Sequence, residues 1–391
     1  MKEGWEMKRL GDVCKVLKRK HSGASLPYIG MEDIESSTGQ LITAPTEKTV
    51  KSTSFQFNEK HILYGRLRPY LNKVFLPDFN GHCSTEIFPI ECADNLDRRF
   101  LFFWLTKSRT VQKIDVTSTG TRMPRANIPT VLDFQIPVPP LPEQRRIVAI
   151  LDEALAAIAT ATANAKKNLA HAQELFESEL NRVFTQRGDG WVEKRLGDIC
   201  ILRNGRAYKK SELLEKGKYR VLRVGNFFTN KNWFYSDLEL DVTKYCAEGD
   251  LLYAWSASFG PRIWNDGKVI YHYHIWRVDP NELVTKDFLY RWLAWDAEKI
   301  KAEHGAGTTM IHVSKASMEA RVLHLPPISE QKVIIDNFRK LEKETRRLES
   351  IYQQKLALLA ELKQSLLHKA FSGELRTNAK PVEKSLTEMG K

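Results

Sequence analysis

The sequence predicts an α+β protein: two pseudo-repeated α/β domains joined by two long antiparallel helices that pair as a coiled coil. Three observations predict it. Most of the chain is written twice at an offset of about 187 residues, far longer than any solenoid period. Each copy opens on short runs rich in β-branched and aromatic residues. Each copy closes on roughly forty residues free of proline and glycine with apolar positions at 3/4 spacing.

The repeat is explicit in the residues. Gly4-Trp5, Lys8-Arg9-Leu10-Gly11-Asp12 and Cys14 return as Gly190-Trp191, Lys194-Arg195-Leu196-Gly197-Asp198 and Cys200. Phe100-Leu101 with Trp104-Leu105 returns as Phe288-Leu289 with Trp292-Leu293, and Pro140 with Glu143-Gln144 returns as Pro327 with Glu330-Gln331. The expected partition is a first head over 1–142, a helix over 143–187, a second head over 188–329, a helix over 330–372, and a polar, disordered tail over 373–391. Two like units in one chain can form a pseudo-two-fold molecule, which suits a target with two half-sites.

In the first head, strands are expected at Tyr28-Ile29, His61–Tyr64, Lys73–Leu76 and Glu86–Ile90. In the second they fall at Val221–Val224, Asp250–Tyr253 and Val269–Val278, with turn signals such as Asn80-Gly81 and Asn265-Asp266-Gly267 between strands. One amphipathic helix per head is expected, over Leu96–Ile114 and Thr285–His304. The proline cluster Pro137–Pro142 then sets a boundary, because proline is tolerated only in a first helical turn. The apolar row of the first long helix is Ile147, Leu151, Leu155, Ile158, Leu169, Phe176, Leu180 and Val183, with Thr162 and Ala165 as weak places. In the second it is Ile334, Phe338, Leu341, Leu348, Tyr352, Leu359, Leu362 and Leu366, with Thr345 and Lys355 as the weak places. Each helix would measure about 60 Å. Equal lengths and matching stripes favour pairing with each other over packing on a single head.

Composition limits the function. The 391 residues are 42% hydrophobic and 28% charged, as in soluble globular proteins. No apolar run approaches the roughly 20 residues of a membrane span, and the start lacks a signal-peptide core. Five isolated cysteines support neither a disulfide framework nor a zinc site, so a reduced, cytoplasmic setting is expected. The net charge of +12 is spread thinly over both repeats, which permits nucleic-acid binding without requiring it. No phosphate loop, dinucleotide fingerprint or base-methylation motif is present. His272-Tyr273-His274 would set two imidazoles on one strand face without a third ligand, which favours polar contact over metal. The chain therefore reads as a binding protein, not an enzyme, with no catalytic or metal residue of its own.

Three loops combine basic, aromatic and small polar residues. Gly65–Lys73 follows a strand and offers Arg66, Arg68, Tyr70, Asn72 and Lys73. Arginine can contact guanine bidentately, and both cations neutralise phosphate. A solvated surface loop is the alternative. The matching place in the second repeat holds Trp255, Ser256, Ser258, Phe259 and Arg262. The third loop holds Arg122 and Arg125 in the first repeat, set against Thr308 and Thr309 in the second; His272 and His274 complete the candidate DNA contacts. Unlike loops on one framework would read unlike half-sites.

Taken together, these features resemble the DNA-specificity subunit of Type I restriction–modification systems. The marks are Pro139-Pro140-Leu141-Pro142-Glu143-Gln144 with Ile147-Val148, and Pro326-Pro327-Ile328-Ser329-Glu330-Gln331 with Ile334-Ile335, each leading a long helix. Trp191-Lys194-Leu196-Gly197-Asp198 and Gly249–Ser256 add to the likeness, which covers nearly the whole chain. The resemblance implies two target recognition domains, each reading one half of a split, asymmetric duplex DNA site, with the helices fixing the gap. It implies two methyltransferase subunits that modify an adenine in each half-site, and motor-nuclease subunits that complete the restriction complex. S-adenosylmethionine, ATP and magnesium would belong to those partners. A specificity subunit of another restriction class, a coiled-coil adaptor that binds protein, and a stand-alone nuclease or methyltransferase are the competing readings.

Overall fold

The computed structural model describes residues 3–23, 25–48, 50, 52–186, 188–256, 259–303 and 312–375. The chain divides into two compact units, one made of residues up to Lys166 with those from Gln353 onward, the other of Lys167–Tyr352. Each unit holds one head and a stretch of both long helices.

In the first unit β1 (Glu6–Arg9), α1 (Leu10–Val13) and β2 (Cys14–Val16) precede β3 (Tyr28–Ile29), β4 (Ser54–Phe57), β5 (Ile62–Gly65), β6 (Val74–Phe75), β7 (Gly81–Ser84) and β8 (Ile87–Cys92). Then follow α2 (Arg98–Thr106), α3 (Ser108–Val116), α4 (Ile128–Leu132), β9 (Gln135–Val138) and the start of α5 (Leu141–Thr185). The second head repeats the plan with β10 (Val192–Arg195), α6 (Leu196–Ile199), β11 (Cys200–Asn204), β12 (Tyr219–Leu222), α7 (Val224–Phe227), β13 (Phe234–Ser236) and β14 (Tyr245–Cys246). It continues with β15 (Leu251–Ala254), β16 (Gly260–Ile263), β17 (Val269–Tyr271), β18 (Ile275–Pro280), α8 (Lys286–Glu303), α9 (Lys315–Glu319), β19 (Val322–Leu325) and α10 (Ile328–Ser372).

The sheets repeat as well. Each head has a four-stranded antiparallel sheet, ordered β2-β8-β5-β6 in the first and β11-β18-β15-β16 in the second. A second, mixed sheet lies beside it, three-stranded β3-β7-β4 in the first head and four-stranded β13-β12-β17-β14 in the second, with β3–β7 and β12–β17 parallel. A two-stranded ribbon ties the start of each repeat to the strand before its long helix, with Glu6 opposite Val138 and Val192 opposite Leu325. Gly4 and Gly190 both turn the chain into that ribbon at φ +78°, where a side chain would be strained, which accounts for the repeated Gly-Trp.

Several expected elements differ in detail. The first head's helix is broken in two, because Lys107 is extended (φ −65°, ψ 130°) between α2 and α3. Ser108, which opens α3, is a weak helix former, and its hydroxyl donates to Gln364 Oε1 at 2.6 Å. The stretch expected as one strand over Val269–Val278 is two strands, β17 and β18, separated by a turn at His272–His274.

The long helices run antiparallel in both units. In the first, the Phe100 ring on α2 lies 4.8 Å from Phe371 near the end of α10, and Arg146 Nη2 near the start of α5 donates to Leu375 O at 3.2 Å. In the second, Phe184 at the end of α5 lies 5.6 Å from Phe288 on α8 and 5.7 Å from Phe338 near the start of α10. Each head thus packs on the trailing helix of the other repeat. Gly373 (φ +81°) ends α10, and the Glu374 N–H closes on Lys369 O at 3.1 Å, as in a Schellman stop.

The apolar rows need correction. Ala165, expected as a weak place, is 1% exposed, and Ala172 and Thr345 are also buried, whereas Leu348 and Leu362 are exposed. On α5 the buried row steps by sevens through Leu151, Ile158, Ala165 and Ala172, the heptad spacing of a paired helix. Part of α5 is apolar enough, by length and composition alone, to cross a bilayer, contrary to the expected absence of such a run. Only 17% of that stretch is buried within the protein, at positions such as Leu151 and Ile158, and length and composition alone are weak grounds for a membrane span. Of the expected tail, Leu375 is buried in the first core, and residues 376–391 lie outside the described residues.

Candidate nucleic-acid interface

The strand β5 ends at Gly65 and β8 begins at Ile87, so the residues just beyond these two ends, Arg66 and Glu86, are neighbours across the sheet edge. The Arg66 N–H donates to Glu86 O at 2.9 Å, and Arg66 O accepts from Ala126 N–H at 2.9 Å. A β-bridge between Leu67 and Arg125 completes the junction, and Arg68 N–H donates to Pro124 O at 2.7 Å. The first and third candidate loops, far apart in sequence, therefore meet.

The second head builds the same junction from other residues. Trp255 N–H donates to His274 O at 3.1 Å, Trp255 O accepts from Val313 N–H at 3.4 Å, and Ser256 bridges His312. Backbone bonding thus equates Arg66, Glu86 and Arg125 with Trp255, His274 and His312.

The two side-chain sets differ in chemistry. In the first head the Glu86 carboxylate accepts from Arg66 Nε at 3.0 Å and from Arg125 Nε and Nη2 at 3.0 and 2.8 Å. Burial alone would push the Glu86 carboxyl up. The Arg125 hydrogen bond and both guanidinium charges outweigh it and hold the carboxyl below its ordinary range. In the second head Trp255 takes the arginine's place. Its ring lies 4.9 Å from His274 and 6.0 Å from His312, and its Nε1–H donates to Tyr273 O at 2.9 Å. Beneath it Trp276 stacks at 5.7 Å, and Tyr253 stacks on Trp276 at 6.0 Å, a column of rings from core to surface.

The remaining candidates divide. Arg68, Tyr70 and Arg122 are exposed, and Arg68 and Asn72 hold left-handed backbone at φ +50° and +49°. Lys73 does not project outward: its Nζ donates to Met31 O at 2.7 Å. Asn72 donates to Thr106 O at 3.3 Å, while its buried Oδ1 has no hydrogen-bond partner. Ser256 and Phe259 are buried, Phe259 packing 5.4 Å from Tyr253, so both belong to the core and not to the surface. Arg262 lies over the Trp264 ring at 5.2 Å and donates to Phe227 O. Ser258, Thr308 and Thr309 lie outside the described residues.

His272 and His274 sit in the turn between β17 and β18, their rings 4.8 Å apart. Among the described residues no group of three or more His, Cys, Asp or Glu could hold a metal ion. Burial first, then the charges of His274 and Arg223, hold the His272 imidazole at about 4. The unfolded chain takes up this proton near pH 6.5, the folded head only near 4, so stability falls as pH drops through that window. The second unit is expected to melt at lower temperature near pH 5 than near pH 7, and His272→Gln to flatten that dependence. Identical pH profiles for the two proteins in calorimetry would contradict this.

Sequence reasoning missed Glu86, Phe88, Tyr273 and His312 as members of these clusters. The repeat offset of 187 sets Arg125 opposite His312, but it sets Glu86 opposite Tyr273, one residue short of the His274 that the backbone bonding places there. It also missed the role of Gln144 and Gln331, both fully buried. Gln144 Oε1 accepts from Asp97 N–H at 2.8 Å, and its Nε2 donates to Asn95 O at 2.9 Å and Pro139 O at 2.7 Å. Gln331 does the same for Thr285, Leu283 and Pro326. The glutamine of each Glu-Gln pair is thus a bolt that fixes a head to the start of its helix.

The profile of the Type I restriction modification DNA specificity domain matches residues 2–170 and again 188–357. The EcoDI Type I restriction enzyme specificity subunit of Escherichia coli is 29% identical over 185 residues, which cover 46% of this chain and 41% of that protein. The MjaVIII specificity subunit of Methanocaldococcus jannaschii is 26% identical over 247 residues, 57% of this chain and 55% of that protein. The matches thus span only about half, or less, of these relatives. In fold the likeness is nearly end to end. A chain from a study of assembly and conformational transition in the type I R-M system superposes with TM-score 0.79 at 22% identity, covering 95% of this chain and 99% of that one. The HsdS subunit of Thermoanaerobacter tengcongensis gives 0.68 at 21%, covering 96% and 98%. With the profile found once in each repeat, the chain belongs to the Type I restriction–modification DNA specificity family.

Proposed function

We propose that this chain reads two separate blocks of one DNA duplex, one with each target recognition domain, and that the paired helices set the gap between the blocks. It directs methyltransferase subunits to an adenine in each block, and ATP-dependent motor-nuclease subunits to unmodified DNA. S-adenosylmethionine, ATP and magnesium act on those partners, and this chain supplies the address. The observation that carries the reading is the shared loop junction with unlike side chains: one backbone design, twice, presenting an arginine pair in one head and an aromatic–imidazole cluster in the other.

On this reading the exposed cations Arg68 and Arg122 neutralise phosphates beside the first block. Replacing both by glutamine should lower the slope of log affinity against log salt by about 0.9 per lost contact. Filter or anisotropy titrations of the complex at several salt concentrations check this. An unchanged slope would remove both loops from the DNA.

A further inference from the structure

Resting on that two-block reading, we infer that Arg66 reads a guanine in the block bound by the first head, and that Glu86 and Phe88 position it for that task. The two arginines that share Glu86 are not equivalent. Arg125 engages the carboxylate with Nε and Nη2 and donates Nη1 to Met123 O at 3.3 Å, so all its nitrogens are used locally. Arg66 meets Glu86 through Nε at 3.0 Å, and among the described residues no hydrogen bond joins its two terminal amines. Its guanidinium lies over the Phe88 ring, 4.9 Å from the centroid.

One edge of the Arg66 plane is therefore held by a carboxylate and one face by an aromatic ring. What remains is the Nη edge, the donor pair that matches O6 and N7 of guanine. A free arginine would lose side-chain entropy on reaching a base; this one is already ordered. Its backbone is fixed too, since Arg66 N–H donates to Glu86 O. Arg125 keeps Glu86 charged and in place, so it supports the reader without reading. At the equivalent place in the second head stands Trp255, whose indole cannot make the paired contact, so this mode of guanine reading belongs to one block alone.

The test uses the complex of the full chain with its methylating partner and duplexes carrying the mapped site. Each guanine is replaced in turn by deazaguanine, which lacks the N7 acceptor. The wild-type complex is expected to lose about 5- to 150-fold in affinity at one guanine of one block. The Arg66→Met complex, which keeps most of the stem without any donor, should show no further loss at that guanine and ordinary losses elsewhere. The Glu86→Gln complex should lose much of the penalty there while binding mixed-sequence DNA at least as tightly as wild type, because an anion has gone from a DNA-facing site. A merely structural Glu86 would instead weaken both blocks and mixed-sequence DNA alike. Should Glu86→Gln fail to fold, Arg66→Met carries the test alone. A full penalty at every sensitive guanine in the Arg66→Met complex overturns the inference, as does the lack of any sensitive guanine in the wild type. A wild-type complex without sequence preference overturns the two-block reading itself.

Discussion

Gln144→Leu is expected to destabilise the first unit by about 3 kcal/mol or more while leaving the second unit nearly unchanged. Leucine fills much of the same volume but can neither accept from Asp97 N–H nor donate to the Asn95 and Pro139 carbonyls. Each buried backbone group left unpaired costs about 1–3 kcal/mol, and the Pro139 bond is fully buried. A loss of that size in a unit of this length corresponds to roughly 6–12 °C in its melting temperature. Gln331→Leu should produce the mirror result in the second unit. Calorimetry of both variants gives the answer, and losses below about 1 kcal/mol would show that the amide is a bystander.

Phe371→Ala should cost about 3–5 kcal/mol, and the damage should appear at the other end of the sequence. Phe371 belongs to the trailing helix of the second repeat, yet its ring packs 4.8 Å from Phe100 in the first head and carries the Lys107 ammonium at 5.8 Å. Leu367, Ala370 and Leu375 enter the same core. Hydrogen exchange should show the amides of α2 losing protection while those of α8 keep theirs. Phe184→Ala, which removes the ring 5.6 Å from Phe288, should reverse the pattern. Equal loss in both heads, or loss confined to the head preceding the mutated helix, would contradict the crossed packing.

Both effects arise from features that the sequence announced without explaining. The repeats, the Pro-x-x-Glu-Gln boundaries and the long helices were legible because each rests on local rules: proline placement, apolar period and self-similarity. The purpose of Gln144 was not legible, since Asp97 and Asn95 lie 47 and 49 residues away on another loop and become its neighbours only on folding. The narrow helix seam was misjudged for a related reason. Hydrophobicity singled out Leu348 and Leu362, whereas the heptad register buries Ala165 and Thr345 instead.

The candidate interface was legible as loops and not as roles. Arg66, Arg68 and Lys73 look alike in sequence, yet one is held by a carboxylate, one is exposed and one turns back to a carbonyl. Glu86 carries the wrong sign for a DNA site and so drew no attention. Its meaning comes from the two guanidiniums that folding brings to it. Phe259 read as a loop aromatic because it stands in the place that matches Gly65–Lys73, whereas the structure sets its ring against Tyr253.

The central claim is that one chain addresses two blocks of DNA. Sequencing the modified adenines in DNA from cells that express this chain with its methylating partner tests it most directly. The account predicts two short defined blocks at one fixed gap, each containing a modified adenine, and both absent when the chain is deleted. A single uninterrupted motif, a variable gap, or modification that persists without the chain would contradict it.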